Sequence, residues 1–98
     1  MDPAPAIGSE LSALLRGFGG RLPPDRVENS LAATDAGEVA MAVEDVCSNL
    51  YEFGVVLTAD EDRRLRSIVR RLRMDERDLL EHVAVGTERQ TGEHEDRI

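Results

Sequence analysis

Apolar residues recur at helical spacing along most of this chain, and glycine, proline and capping residues mark the breaks between runs. Leu11, Leu14, Leu15 and Phe18 follow the i, i+3, i+4, i+7 rule of a helix with one buried face. They predict a first helix over 9–18. Ser9 stands where a hydroxyl can accept from the first free amides, and Gly17, Gly19 and Gly20 end the run. Pro23-Pro24 opens a short second helix near 24–33, since proline fits the first helical turn, where its missing N–H is not needed. Val27, Leu31 and Ala32 give that helix a weak apolar face, and Asp35-Ala36-Gly37 stops it.

The third run is the most regular. Val39, Val43, Val46 and Leu50 fall within about 60° of one another at about 100° per residue, with Ala42, Cys47 and Phe53 flanking. A helix over 38–53 follows, and Gly54 supplies its left-handed C-terminal cap. Val55-Val56-Leu57 finds no strand partner in the sequence and reads as a loop packed on the core. Thr58-Ala59-Asp60-Glu61 is a capping box for a fourth helix over 59–74. Its buried face is Leu65, Ile68, Val69 and Leu72, and three acids stand at its positive end. Val43, Val46, Leu50, Leu65, Ile68 and Leu72 are expected to share one core. Leu79, Leu80 and Val83 add a short stretch capped by Asp75.

The expected architecture is therefore all-α: a small bundle of about four helices in one domain over 9–85. A flexible lead over 1–8, rich in proline, precedes it. A disordered tail over 86–98 follows, polar and without apolar spacing. At 98 residues there is room for one core only. With three aromatics, that core must be aliphatic, which suits helices packed on helices.

Cys47 is the single cysteine, so an intramolecular disulfide and a cysteine-ligated zinc site are both ruled out. No signal-peptide pattern and no run of about 20 apolar residues is present, and a cytoplasmic location is expected. Catalytic chemistry has little to work with. His82 and His94 stand in no Ser/His or Cys/His spacing, Cys47 faces the core, and Asp60-Glu61-Asp62 lacks the alternation and glycine of a calcium loop. No enzyme activity, metal or cofactor is expected.

Charge changes the picture more than composition does. The net charge of −8 disfavours nucleic acid and membrane surfaces as partners. Between Arg26 and Arg63 there is no basic residue and there are nine acids. Glu38, Asp45 and Glu52 recur every seven residues and project within about 40° of one another, opposite the valine face. Glu44 lies to one side, with Tyr51 bordering. An ordinary solvated helix face mixes signs, because like charges at close spacing repel; this one does not. Glu38, Glu44, Asp45, Tyr51 and Glu52 are thus the candidate partner-binding residues, and they suit a basic protein. The arginines of the fourth helix read instead as counter-charges, with Arg64 and Arg66 placed to pair with Asp60 and Asp62.

The residues Gly37-Glu38, Ala42, Glu44, Cys47, Leu50-Tyr51-Glu52, Val55, Leu57-Thr58 and Glu61 resemble those of the small helical immunity proteins of the MafI type. The resemblance covers about residues 22–74 and leaves those after Met74 without a counterpart. It implies a bacterial protein that binds and neutralises the C-terminal domain of a cognate secreted toxin, often a nuclease. An acidic helix could there mimic a nucleic acid backbone in the toxin's basic cleft. The competing expectation is a non-catalytic adaptor or a homodimeric structural subunit, since the thin core of so small a chain invites self-association.

Overall fold

The first helix, α1 (Ile7–Arg16), is the hub: it packs against α2 (Pro24–Asp35), α3 (Val39–Glu52) and α4 (Ala59–Arg71). A short α5 (Glu76–Leu80) closes the far side against α3 and α4. This computed structural model describes residues 6–86. The expected tail after Gly86 and residues 1–5 of the expected lead lie outside the described residues, as does His94, whereas Ile7 and Gly8 of that lead belong to α1. Among the described residues the chain is all-helical, joined by turns and by isolated single-residue bridges.

The apolar periodicities converge on one core. Leu11, Leu14, Leu15 and Phe18 from α1 and the turn after it meet Val43, Val46 and Leu50 of α3 and Leu65, Ile68 and Val69 of α4, all essentially inaccessible to solvent. Leu72 alone of the six expected core residues is only half-buried; it is the C-cap of α4 and packs on the rim.

Helix ends follow local chemistry with two departures. At α4 the capping box forms as the sequence requires: Glu61 N donates to Thr58 Oγ1 at 3.0 Å and Thr58 N to Glu61 Oε1 at 2.9 Å. Gly54 takes a φ of 63° after α3, where Val55 N donates to Leu50 O at 3.0 Å, closing the last turn. The end of α4 has the same geometry with no glycine. Arg73 holds a φ of 60°, while Met74 N donates to Val69 O at 3.1 Å and Arg73 N to Arg70 O at 2.9 Å. The second departure is at α1, which begins at Ile7 after Ala6, with no side-chain cap. Ser9 lies inside the first turn, so its hydroxyl is not the cap. Ile7 packs against the core, and burial there outweighs a surface hydrogen bond.

Two further expectations are corrected. α2 does not present Ala32, which is exposed; it buries Ser30 and Thr34 beside Val27. Both hydroxyls are satisfied there, that of Ser30 by Asp45 across the interface with α3 and that of Thr34 by the Ser30 carbonyl within α2. The Val55–Leu57 segment does have a partner: Leu57 bridges in parallel to Val85, with Leu57 N donating to Ala84 O at 2.9 Å and Gly86 N to Leu57 O at 2.8 Å. Leu57 and Val55 are buried, as expected of a packed segment. A single bridge has no sequence signature, because its partner lies across a whole helix pair.

Ion pairs tie α4 to its neighbours. Arg71 bonds both oxygens of Glu10 on α1 (2.7 and 2.9 Å), and Arg66 and Arg70 converge on Glu76 of α5 at 2.7–3.0 Å. Hydrogen bonds from the two arginines hold the Glu76 carboxyl at a pKa of about 2, against an ordinary 4.5. A depressed carboxylate stabilises the fold above its unfolded pKa, and the contribution is lost as pH falls through the folded value. Glu10 and Glu61 are lowered in the same direction by Arg71 and Arg21. Stability is thus expected to drop between about pH 4.5 and pH 2. Glu76→Gln should flatten part of that drop in urea titrations run across the window. An unchanged pH profile for the variant would show that the Glu76 cluster holds nothing in solution.

Candidate functional site

The surface of α3 is set by what its other face must bury. With Ala42, Val43, Val46, Cys47, Asn49 and Leu50 turned inward, Met41, Glu44, Ser48, Tyr51 and Glu52 are left to solvent. Tyr51 is 61% exposed and Met41 56%, large apolar areas on a helix otherwise well partnered. Glu38 is exposed at the start of the helix, and its side chain makes no capping bond.

The five sequence-predicted residues do not form one stripe. Asp45 is half-buried and faces α2, where Ser30 Oγ donates to its Oδ2 at 2.8 Å. It belongs to a polar seam between α2 and α3. Along that seam Arg26 donates to Asn49 Oδ1 at 3.2 Å, and Thr34 Oγ1 donates to the Ser30 carbonyl at 2.8 Å. Asn49 Nδ2 is buried there with no partner among the described residues. Asp45 is therefore a structural residue rather than part of a free surface. Heptad spacing missed this because it places Asp45 with Glu38 and Glu52 without knowing that a serine on α2 stands opposite. Asp45→Ala is expected to cost about 1–2 kcal/mol, the loss of a charged hydrogen bond to a buried hydroxyl. A denaturation midpoint equal to wild type would show that Ser30 finds another acceptor.

Without Asp45, Glu38 and Glu52 stand at opposite ends of α3, about 21 Å apart along its axis. The compact grouping is instead Glu44 and Tyr51, which the fold brings against α5. An open cleft of ≈ 200 Å³ lies between the two helices, mostly apolar in its lining. Its walls include Glu44, Ser48 and Tyr51 on one side and Asp78 and His82 on the other; Cys47, Leu79 and Val83 also line it. The Tyr51 and His82 rings pack at 5.5 Å between centroids, tilted by 45°. Burial pushes the Cys47 thiol up to about 12, so it stays protonated and serves as apolar lining. Asp78 and His82 were not legible as site residues. Nothing in the spacing of α5 says that it packs on α3.

Counter-charge is distributed unevenly over the molecule. On α4, Arg63, Arg64, Arg66, Arg70 and Arg71 each pair with an acid of α1, α4 or α5, and Arg21 pairs with Glu61. Among the described residues Glu38, Glu44, Glu52 and Asp78 form no ion pair, and neither do Asp25, Glu28 and Asp35 of α2, Asp45, Asp75 or Glu81. The residues that carry the resemblance to immunity proteins divide along the same line. Ala42, Cys47, Leu50, Val55 and Leu57 are core, Gly37 is a helix-end residue with a φ of 85°, and Thr58 and Glu61 form the capping box. Glu38, Glu44, Tyr51 and Glu52 are exposed, and their side chains make no hydrogen bond among the described residues.

Comparison of the chain with protein-family models, with curated proteins and with solved structures returns no match to any of them. No helix among the described residues is long and apolar enough to cross a membrane.

Proposed function

We propose that this chain is a non-catalytic binding module for a basic protein, and specifically an immunity protein that neutralises a cognate secreted toxin domain. The observation that carries the binding reading is the segregation of counter-charge. The arginines of α4 are engaged within the fold, whereas the acids on the outer face of α3 are left without partners and flank an exposed tyrosine. An acidic face of this kind steers a basic partner into encounter at up to about 10⁸–10⁹ M⁻¹s⁻¹ at low salt. Such speed suits an inhibitor that must capture its target before any damage is done. The toxin identity rests on the resemblance over about residues 22–74.

The adaptor or homodimer reading draws support from Met41 and Tyr51, which would suit a contact through α3. Electrostatics argues against it. A twofold contact along this face would set Glu44 and Glu52 of one copy against the same acids of the other, and like charges in an interface cost several kcal/mol. The deciding experiment is co-expression with the product of the neighbouring upstream gene, followed by co-purification. A stable complex with a basic toxin-like domain is the expected result. A stable dimer of this chain alone, with no basic partner recovered, would move the assignment to the adaptor.

A further inference from the structure

The α3–α5 cleft combines features that an acidic surface alone would not have. Its lining is mostly apolar, its volume of ≈ 200 Å³ is on the scale of one side chain, and an aromatic ring on its rim is largely open to solvent. Two carboxylates, Glu44 on α3 and Asp78 on α5, stand on its two sides without an ion-pair partner among the described residues. Apolar floor, aromatic rim and flanking acids are the three things a long basic side chain needs. The methylene stem covers Leu79 and Val83, the cationic head meets the acids, and its planar face lies on Tyr51. Arginine fits better than lysine, because a flat guanidinium can stack on a ring while its N–H groups reach carboxylates on both sides.

We propose that this cleft is a receptor for a single arginine side chain projecting from the partner's surface. Glu44 and Asp78 supply the counter-charge, and Tyr51 the stacking face. His82, whose ring packs against that of Tyr51 at the edge of the cleft, fixes the position of the tyrosine ring. The acids farther along α3, Glu38 and Glu52, then act at longer range by steering the approach. The proposal rests on the reading of the protein as a binder of basic proteins and locates the anchor within that surface.

The test needs no identified partner. The full chain, labelled with ¹⁵N, is titrated with the blocked tripeptide acetyl-Gly-Arg-Gly-amide and, separately, with the same peptide carrying neutral citrulline in place of arginine. The arginine peptide is expected to give saturable shifts confined to residues 44–51 and 78–83, with a dissociation constant near ~1 mM, and citrulline binding weaker by about tenfold or more. Asp78→Asn and Tyr51→Ala should each weaken the arginine peptide by about threefold to tenfold. Neither residue is part of the core, and the Asp78 side chain makes no hydrogen bond among the described residues, so both variants should keep wild-type spectra elsewhere. Shifts that grow linearly and spread over Glu28, Asp35 and Glu38 alike would overturn the cleft while leaving a diffuse acidic face intact. Shifts absent altogether, or equal for citrulline, would also overturn it. Failure to recover any basic protein in co-purification would instead sink the wider binding reading.

Discussion

Val46→Asp is expected to unfold the domain or to cost at least about 4 kcal/mol, the largest effect of any single change considered for this chain. Val46 is 1% exposed and lies on the inward face of α3, which packs against α1, α2 and α5. The core around that face is apolar, and the guanidinium that bonds α3, that of Arg26, lies over the Phe53 ring and is engaged by Asn49. A carboxylate there is an uncompensated buried charge. It must either stay neutral, with its pKa raised far above the usual range, or open the helix pair. Total stability for a domain of this size is only about 5–15 kcal/mol, so the loss removes a large part of it. Urea denaturation followed by circular dichroism measures the effect. Partial recovery on lowering the pH toward 5 is the signature of a buried acid. A Val46→Asp midpoint no lower than that of Asp45→Ala would show that position 46 does not face the core.

Reversing Glu38, Glu44 and Glu52 to lysine together is expected to abolish protection in a toxin co-expression assay while the protein stays folded. All three are exposed and form no ion pair among the described residues, so the fold loses nothing when their charge is inverted. The partner meets lysines where it met carboxylates, which removes steering and adds repulsion. Association should slow by about ten- to a hundredfold at low salt, and the wild-type rate should fall steeply as salt is added, because charges are screened beyond about 8 Å at physiological ionic strength. Tyr51→Ala should act differently, raising the dissociation rate and weakening binding by about 1–3 kcal/mol as the loss of an aromatic anchor.

The control must avoid the arginines that hold α4 to its neighbours. Reversing Arg66 or Arg70 would set like charges against Glu76 and destabilise the α4–α5 contact, so lost protection there would be ambiguous. Arg16→Glu with Arg63→Glu is cleaner, since both side chains are exposed and neither is paired with an acid of another helix; the Arg63 pair with Asp60 is a surface one of little value. That variant should keep protection. Protection lost with the arginine variant and kept with the acidic one would place the working face on the wrong side of the molecule.

What the sequence determined by itself is what short-range chemistry determines. The inward faces of α1, α3 and α4 follow from apolar residues at a period of about 3.6, which can be satisfied only by burial on one side. The ends of α3 and α4 follow from Gly54 and from the Thr58–Glu61 box, both interactions closed within a few residues. The charge imbalance between residues 26 and 63 was equally plain. The tertiary structure decided the rest, because it depends on residues that are far apart in the chain and unremarkable where they stand. Ser30 can be buried because α3 presents Asp45 to its hydroxyl, and the same meeting removes Asp45 from the binding face; Thr34 is satisfied within α2 by the Ser30 carbonyl. Leu57 finds Val85 across α4 and α5. Arg73 adopts a left-handed conformation without glycine in the turn between α4 and α5, beyond which Glu76 meets Arg66 and Arg70. The cleft exists because α5, whose own pattern is too short to reveal its neighbour, docks beside Glu44 and Tyr51 and adds Asp78 and His82 to them. A helical period tells which side of a helix faces inward; which other helix lies against that side is settled only by the packing of the whole chain.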